Sequence, residues 1–538
     1  MKLNYFPKML RQIAPVLLMA LLAFAPALFS CVQPENEKSE RPNIVFIFSD
    51  DHAYQAISAY GDRFKDIAPT PNIDRIAENG MRFDHCLVTN SICAPSRATI
   101  LTGKYGHLNG ILMNETNDFD GSQQTFPKLF QKEGYKTSVI GKWHLGSEPT
   151  GFDHWEVLPR QGFYYNPVFI NAEERYEEEG YVSDIVTDKS IEWMKENAGG
   201  STPFFIMISH KAAHMSWQPA LEYLDHFDGV TFPEPENLYD DYSGRGTAAK
   251  EQDMSIEKSL DPANHLKMWD NSVTTGYAYT SGVARLTPEQ RKVWDAYYLP
   301  IKEEFERLNP QGNDLISWKY QRYMHDYLAT VISVDKSVGR VLDYLEESGL
   351  ADNTIVVYAS DQGFYLGEHG WFDKRFMYEE SYRTPLLISW PGVTEHGSVN
   401  TDIVSNLDFA QTFLDAIGAE QPSDMQGESL VPLLKGKTPK DWRTEHYYHF
   451  YAYPDFHSVK RHYGISDKRY KLMHFYYDID EWEMYDLEKD PMEMRSVYDD
   501  PEYAAIREDL HKRLEKIREK YGDSDELTKS NLPENFRY

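Results

Sequence analysis

The sequence predicts an α/β protein: one large, mostly parallel sheet flanked by helices, with a smaller antiparallel-sheet subdomain behind it. Three observations predict this. Residues 43–49 (Asn-Ile-Val-Phe-Ile-Phe-Ser) and 354–360 (Thr-Ile-Val-Val-Tyr-Ala-Ser) are unbroken apolar runs rich in β-branched side chains, the pattern of strands covered on both faces. Helical patterns with proline near their starts and glycine past their ends lie between such runs. Past about residue 440 the texture changes to short aromatic runs split by turn residues, which reads as an antiparallel sheet.

Taken in order, the chain opens with Lys2, Lys8 and Arg11 ahead of an apolar run from Val16 to Phe29, an export signal over residues 1–30. The run is short for a membrane span and contains Pro26. Leu28-Phe29-Ser30-Cys31 looks like a bacterial lipobox that would place a lipid on Cys31, and ordinary signal cleavage is the alternative because Phe29 is bulkier than the usual small residue. Residues 31–42 are polar and proline-bounded, a tether. The main domain is expected over 43–440. Within it, Thr70-Pro71 to Gly80 and Phe126-Pro127 to Gly134 read as capped helices. Residues 230–315, rich in acids, tyrosine and helix breakers without clear period, read as a surface insertion. Residues 323–345 carry Tyr327, Leu328, Val331, Val334, Val338, Val341, Leu342 and Leu345 at helical spacing, a long helix with one buried stripe. The small subdomain, 441–538, ends in a helix from about 502 to 521.

Composition restricts the partners. The formal charge is −30, and removing residues 1–30, with three cations and no acids, takes it to −33, so a nucleic-acid partner is excluded. Any site for an anion must be locally basic. There are three cysteines, Cys31, Cys86 and Cys93; if Cys31 carries lipid and Cys93 is chemically used, no intramolecular disulfide can form, despite an oxidising compartment.

The residues with chemistry cluster after strand patterns. Asp50-Asp51-His52 follows the first apolar run and Asp361-Gln362-Gly363 follows the other, so each strand delivers acids at its carboxyl end, where doubly wound sheets bind ligands. Asp50, Asp51, Asp361 and Gln362 offer oxygen only, the donor set a hard cation such as calcium prefers. Residues 137–140 lead into Gly141-Lys142-Trp143-His144, residues 204–209 into His210-Lys211-Ala212-Ala213-His214, and a later loop reads Phe372-Asp373-Lys374-Arg375. Residues 91–104 read Ser-Ile-Cys-Ala-Pro-Ser-Arg-Ala-Thr-Ile-Leu-Thr-Gly-Lys, with Arg97 one helical turn from Cys93.

The Cys93-Ala-Pro-Ser-Arg97 core with its Leu-Thr-Gly-Lys continuation resembles the signature of the type I, formylglycine-dependent sulfatases, and the resemblance extends over nearly the whole mature chain. It implies the alkaline-phosphatase-like fold. It implies that a maturase converts Cys93 to formylglycine, whose hydrated aldehyde attacks sulfur through one hydroxyl and expels sulfate by re-forming the aldehyde. It further implies one Ca2+ held by Asp50, Asp51, Asp361, Gln362 and modified Cys93, and Arg97, Lys142, His144, His214 and Lys374 as catalytic or sulfate-binding residues, with His210 close by. Finer similarities, around Tyr164-Tyr165-Asn166-Pro167, the Asp373-Lys374-Arg375 triplet and the C-terminal block, are to bacterial N-acetylglucosamine-6-sulfatases of glycosaminoglycan breakdown. On that reading Asp373, Arg375, Arg461 and His462 contact the sugar of a sulfated glycan, removing a 6-O-sulfate from N-acetylglucosamine or N-sulfoglucosamine at a chain end, as in heparan sulfate. The location expected is the periplasm or the outer membrane of a Gram-negative bacterium, with the membrane met only through the lipid. Three alternatives stand beside it: a sulfatase for galactose or N-acetylgalactosamine sulfate, a phosphomonoester or phosphonate hydrolase of the same superfamily, and a non-enzymatic glycan-binding lipoprotein.

Overall fold

A computed structural model describes residues 41–114, 118–198, 200–268 and 282–532. The expected export signal, Cys31 and nearly all of the tether lie outside the described residues. Among the described residues no helix is long and apolar enough to cross a membrane.

Ten strands form the main sheet: β1 (Asn43–Ser49), β2 (Met81–Phe83), β3 (Lys136–Lys142), β4 (His154–Leu158), β5 (Val168–Ile170), β6 (Arg175–Glu177), β7 (Phe204–Ser209), β8 (Thr354–Ser360), β9 (Leu386–Ser389) and β10 (Ser398–Asn400). Their order is β10-β2-β9-β8-β1-β7-β3-β4-β5-β6. The central five, β8-β1-β7-β3-β4, are mutually parallel, while β9, β5 and β6 run antiparallel to their neighbours. The sheet is therefore mixed, with its parallel part at the centre.

The apolar runs are explained by layers on both faces. On β1, Ile44, Phe46 and Phe48 enter one core, with Phe205, Val357 and residues of helices α2 (Cys93–Thr102), α3 (Phe126–Lys132) and α7 (Phe409–Ala416). Val45 and Ile47 enter the other, with Ile206, Val356 and residues of α1 (Pro71–Glu78), α4 (Val182–Asn197) and α6 (Asn313–Glu347). Alternation along a pleated strand thus sends successive side chains to opposite layers, each fully buried one contributing about 1.5–3 kcal/mol. The predicted stripe on α6 is buried throughout.

The C-terminal sheet is antiparallel, β11 (Glu445–Phe450), β12 (His462–Asp467), β13 (Tyr470–Phe475) and β14 (Glu481–Asp486) in sequence order, and helix α8 (Ala504–Lys520) packs on it. Two expectations need correction. Residues 230–315 are not a simple surface insertion: Leu238, Ile256, Leu260 and Leu266 enter the main core, and a 21-residue helix, α5 (Pro288–Leu308), buries Trp294 and Tyr298 behind a Thr287–Gln290 capping box. Residues 269–281 of this segment lie outside the described residues. Thr70 does not cap α1 either; its hydroxyl accepts from Ser58 N, and Asp335 of α6 accepts from Asn72 N and Ile73 N at 2.9 Å.

Candidate active site

β1 and β8 pair in step, Ser49 opposite Ser360, so the next residues, Asp50 and Asp361, leave the sheet side by side. Asp51 has a left-handed φ of 58°, and its N–H donates to Asp361 Oδ1 at 3.1 Å. After Gln362, Gly363 is required by space: a Cβ there would sit 2.2 Å from Glu380 O. The same holds before Lys142, where a Cβ on Gly141 would meet Ser209 O at 2.0 Å. Cys93 is the first residue of α2, and the next amide, Ala94 N, donates to Asn114 Oδ1 at 3.0 Å. Ligand atoms of Asp50, Asp51 and Cys93 all lie within 4.8 Å of one another.

Four cations press on this cluster. Arg97, one turn along α2, donates through Nε and one terminal nitrogen to Asp361 Oδ2 (3.1 and 3.0 Å) and through the other to Lys142 O and Ser209 Oγ, and it approaches Asp50 Oδ1 at 3.6 Å. Lys142 Nζ donates to Asp50 Oδ2 and to Gln161 Oε1. Lys374 Nζ donates to both oxygens of Asp51 at 2.6 and 2.7 Å. Lys211 is buried over the Tyr164 ring, 4.8 Å from its centroid. His214 Nε2 lies 3.7 Å from Asp51 Oδ2, its Nδ1 bonded to Met215 O, and His144 is half-buried, its Nδ1 enclosed and unpaired.

Burial and charge together set the protonation states. Burial would raise Asp50, but Lys142 and other neighbours outweigh it and hold the carboxyl well below its usual range. Asp51 is pushed up to about 6 and Asp361 to about 8, by burial first; Lys374 offsets part of the Asp51 shift, whereas Asp50 adds to that of Asp361. Burial, then Lys142, pushes His144 and His214 well below 6.5, so both are neutral, and lowers Lys211 to about 7. Burial pushes the Cys93 thiol up, so as an unmodified cysteine it is a poor nucleophile.

The residues fit a hard cation. Three carboxyl groups are crowded together with no solvent exposure, and Asp50 Oδ1 and Gln362 Oε1 are buried acceptors with no donor, atoms that a cation would satisfy. Gln362 Nε2 donates to Asp51 Oδ1, which places the longer amide at the cluster.

Next to Lys374 stands a second polar group. Asp373 and Arg375 have left-handed φ of 77° and 99°, Asp373 Oδ2 lies 3.0 Å from Arg375 Nε, and His457 Nε2 lies 3.5 Å from the same oxygen. All three atoms are buried without a well-aligned hydrogen bond, as is one terminal nitrogen of Arg375. Arg375 and Lys374 hold the Asp373 carboxyl below its usual range despite burial.

Two expected residues, Arg461 and His462, are placed otherwise. Arg461 is fully buried, donating to Tyr451 O and Tyr453 O and pairing with Asp478 at 2.6 Å, so it pins a loop rather than standing at a rim. His462 is a buried residue of β12, bonded to Lys460 O and Met377 N among the rings of Tyr448, Phe450 and Phe475. His210, which follows β7 and is lowered to about 4 by burial, has neither ring nitrogen bonded. Conversely, nothing in the sequence singles out His457, Gln161 or Asn114. None belongs to a motif, and each arrives from a loop that only the folded chain brings near.

Three full cations, Arg97, Lys142 and Lys374, and the partly charged Lys211, gathered at the carboxyl ends of parallel strands, suit an anionic ester whose charge builds up as a bond to oxygen breaks. Fold and site together define a hydrolase of esters of a tetrahedral oxyanion. A family model described as Sulfatase matches residues 42–419, a second, described as N-sulphoglucosamine sulphohydrolase, C-terminal, matches residues 367–520, and the chain belongs to the sulfatase family. It is a sulfuric ester hydrolase of that family, whose members depend on formylglycine and a metal ion.

An N-acetylglucosamine-6-O-sulfatase of Bacteroides thetaiotaomicron is 51% identical over 510 residues, covering 93% of this chain and 90% of that protein. A solved structure of a protein in complex with its substrate D-glucosamine-2-N,6-O-disulfate superposes with a TM-score of 0.88 at 51% identity, over 91% of this chain and 99% of that one. The phosphonate monoester hydrolase of Agrobacterium radiobacter, at 21% identity and a TM-score of 0.65 over 89% of this chain and 96% of that one, shares the fold, which is the alkaline-phosphatase-like one.

Proposed function

We propose that this sulfatase removes the 6-O-sulfate from N-acetylglucosamine or N-sulfoglucosamine at the end of a glycosaminoglycan chain. One observation carries the reading: Asp373, Arg375 and His457 present buried polar atoms without a well-aligned hydrogen bond beside Lys374, at the place where a sugar would stand if its sulfate entered the cluster end-on. A primary sulfate allows that entry, because the C6 methylene keeps the ring at the mouth. An acid, a base and an imidazole there read ring hydroxyls and the substituent on nitrogen, and a sugar that fails to pair them leaves buried polar groups unsatisfied. The relative named as a 6-O-sulfatase and the relative bound to a 6-O-sulfated glucosamine support the same sugar.

Cys93 is the residue matured to formylglycine, and Ca2+ is the cation, held by Asp50, Asp51, Asp361, Gln362 and modified Cys93. The hydrated aldehyde supplies a nucleophilic hydroxyl and an exit that re-forms the carbonyl. The chain's own residues do the rest. Arg97 fixes Asp361 and the start of α2; Lys142, His144 and Lys374 hold the sulfate oxygens; Lys374 meets the charge developing on the leaving oxygen. His214, whose Nδ1 donates to Met215 O, would deliver the proton to that oxygen from Nε2; burial first, then Lys142, depresses its pKa, and the charge of a bound anion offsets the lysine part of that depression. Export, lipidation of Cys31 and action of a maturase complete the proposal.

A panel of monosulfated mono- and disaccharides tests it. The 6-O-sulfated glucosamines are turned over and free sulfate is released; activity confined to galacto-configured or 2-O-sulfated sugars, or faster turnover of a phosphate than of a sulfate ester of one reporter alcohol, refutes it. Mass spectrometry of the peptide carrying Cys93 from active enzyme finds the aldehyde, and an unmodified thiol throughout sinks the nucleophile assignment. Radiolabelled lipid incorporation, lost in Cys31→Ser, tests the anchor.

A further inference from the structure

We infer that Phe456 is a stacking platform for the saccharide residue next to the sulfated one, so that the enzyme has a second sugar subsite outside its pocket. The inference rests on the proposed function. Phe456 is 59% exposed, more than any other large apolar side chain among the described residues. A single exposed apolar residue is ordinary on a surface. What sets this one apart is how firmly the residues on either side of it are held beside the pocket. Asp253 N donates to His457 O at 2.7 Å, His457 Nδ1 donates to Asp253 O at 2.6 Å, and Ser458 Oγ donates to Asp253 Oδ2 at 2.8 Å. On the other side Asp455 lies 3.8 Å from Arg375. His457 and Ser458 both take left-handed φ, 76° and 52°, which non-glycine residues keep only where their surroundings over-determine them.

The clamped loop therefore fixes Phe456 in water instead of letting it fold inward. Its ring rests against the His457 imidazole, centroids 4.3 Å apart, and that imidazole stands 3.5 Å from Asp373. An apolar face thus continues directly from the polar wall of the sugar pocket. The partner that fits is a pyranose, whose C–H face is apolar and weakly electropositive and matches the negative face of an aromatic ring. The sulfated sugar is held by its charge and hydroxyls; its neighbour would be held by its ring face.

The test compares Phe456→Ala and Phe456→Trp with wild type, on a 6-O-sulfated glucosamine monosaccharide and on a disaccharide bearing the same sugar at its end. Both variants fold, as Tm reports, because the side chain is exposed. Phe456→Ala raises KM for the disaccharide about 3- to 10-fold while monosaccharide kinetics stay within about twofold, and Phe456→Trp keeps the disaccharide preference. Equal effects on both substrates, or none on either, overturn the platform and leave the proposed function intact. A wild type inactive on both substrates overturns the two together.

Discussion

Asp51 is the residue on which the charges of the site converge. Lys374 donates to both of its oxygens, Gln362 to one, and His214 stands 3.7 Å away, while burial still pushes its pKa up to about 6. A carboxylate so placed gains from a divalent cation, as do Asp50 and Asp361 beside it. Exhaustive chelation is therefore expected to abolish turnover and calcium to restore it, read by sulfate release and metal analysis; full activity in the chelated protein, or one zinc per chain, would contradict the assignment. The neighbouring Asp373 has a different task. Asp373→Ala and His457→Ala are each expected to lower kcat/KM on sulfated glucosamine by about 10- to 100-fold, the cost of a lost contact to a charged or buried polar group, with a much smaller effect on an aryl sulfate. Equal losses on the two substrates would place these residues in the sulfate machinery instead.

Elements show what was legible in the sequence. The stripe on α6 could be read because period alone decides which face of a helix is buried, and the acids after β1 and β8 could be read because a buried strand must end at the sheet edge where ligands bind. Arg461 and His462 were misread because a basic run at a turn looks solvated; nothing local shows that Asp478, 17 residues on, pairs with Arg461, or that Met377 N meets His462. The segment 230–315 was misread for a related reason: its anchors, such as Leu238 and Ile256, are scattered singly and have no period. The same limit applies to helix caps. Thr70 is a good N-cap by residue type, yet the first amides of α1 are satisfied by Asp335, 263 positions from Asn72. Asp335→Ala is accordingly expected to destabilise the protein by about 1–2 kcal/mol, since it leaves Asn72 N and Ile73 N without their acceptor, whereas Thr70→Val, keeping the helix amides paired, costs less. Chemical denaturation compares them, and the reverse ranking would show that Thr70 caps α1 in solution.

At the scale of the molecule, burying so many titratable groups makes stability depend on pH with a definite sign. His52, His210, His265, His449 and His457 are lowered to about 4 and His462 to about 3, while His144, His214 and His446 lie well below 6.5, in each case with burial as the leading cause. All nine are neutral in the folded chain at pH 5, where the unfolded chain, with histidine near 6.5, has them charged. Stability is lost as pH falls from about 6.5 through about 4, at up to about 1.4 kcal/mol per pH unit for each histidine. Four buried carboxyls act in the opposite direction: Asp51 and Asp335, raised to about 6, Glu493, to about 7, and Asp361, to about 8, bind protons in the folded chain first. Their contribution falls as pH rises above about 4, and a bound cation would return Asp51 and Asp361 to the ionised state. Nine groups outweigh four, so the thermal midpoint is expected to fall steadily between pH 7 and pH 4.5, more steeply with calcium present. His462→Gln, which removes one of the nine without touching the active site, should give a lower midpoint but a shallower slope. A midpoint that rises on acidification would mean that the carboxyls dominate and that the buried histidines are already charged in the native protein.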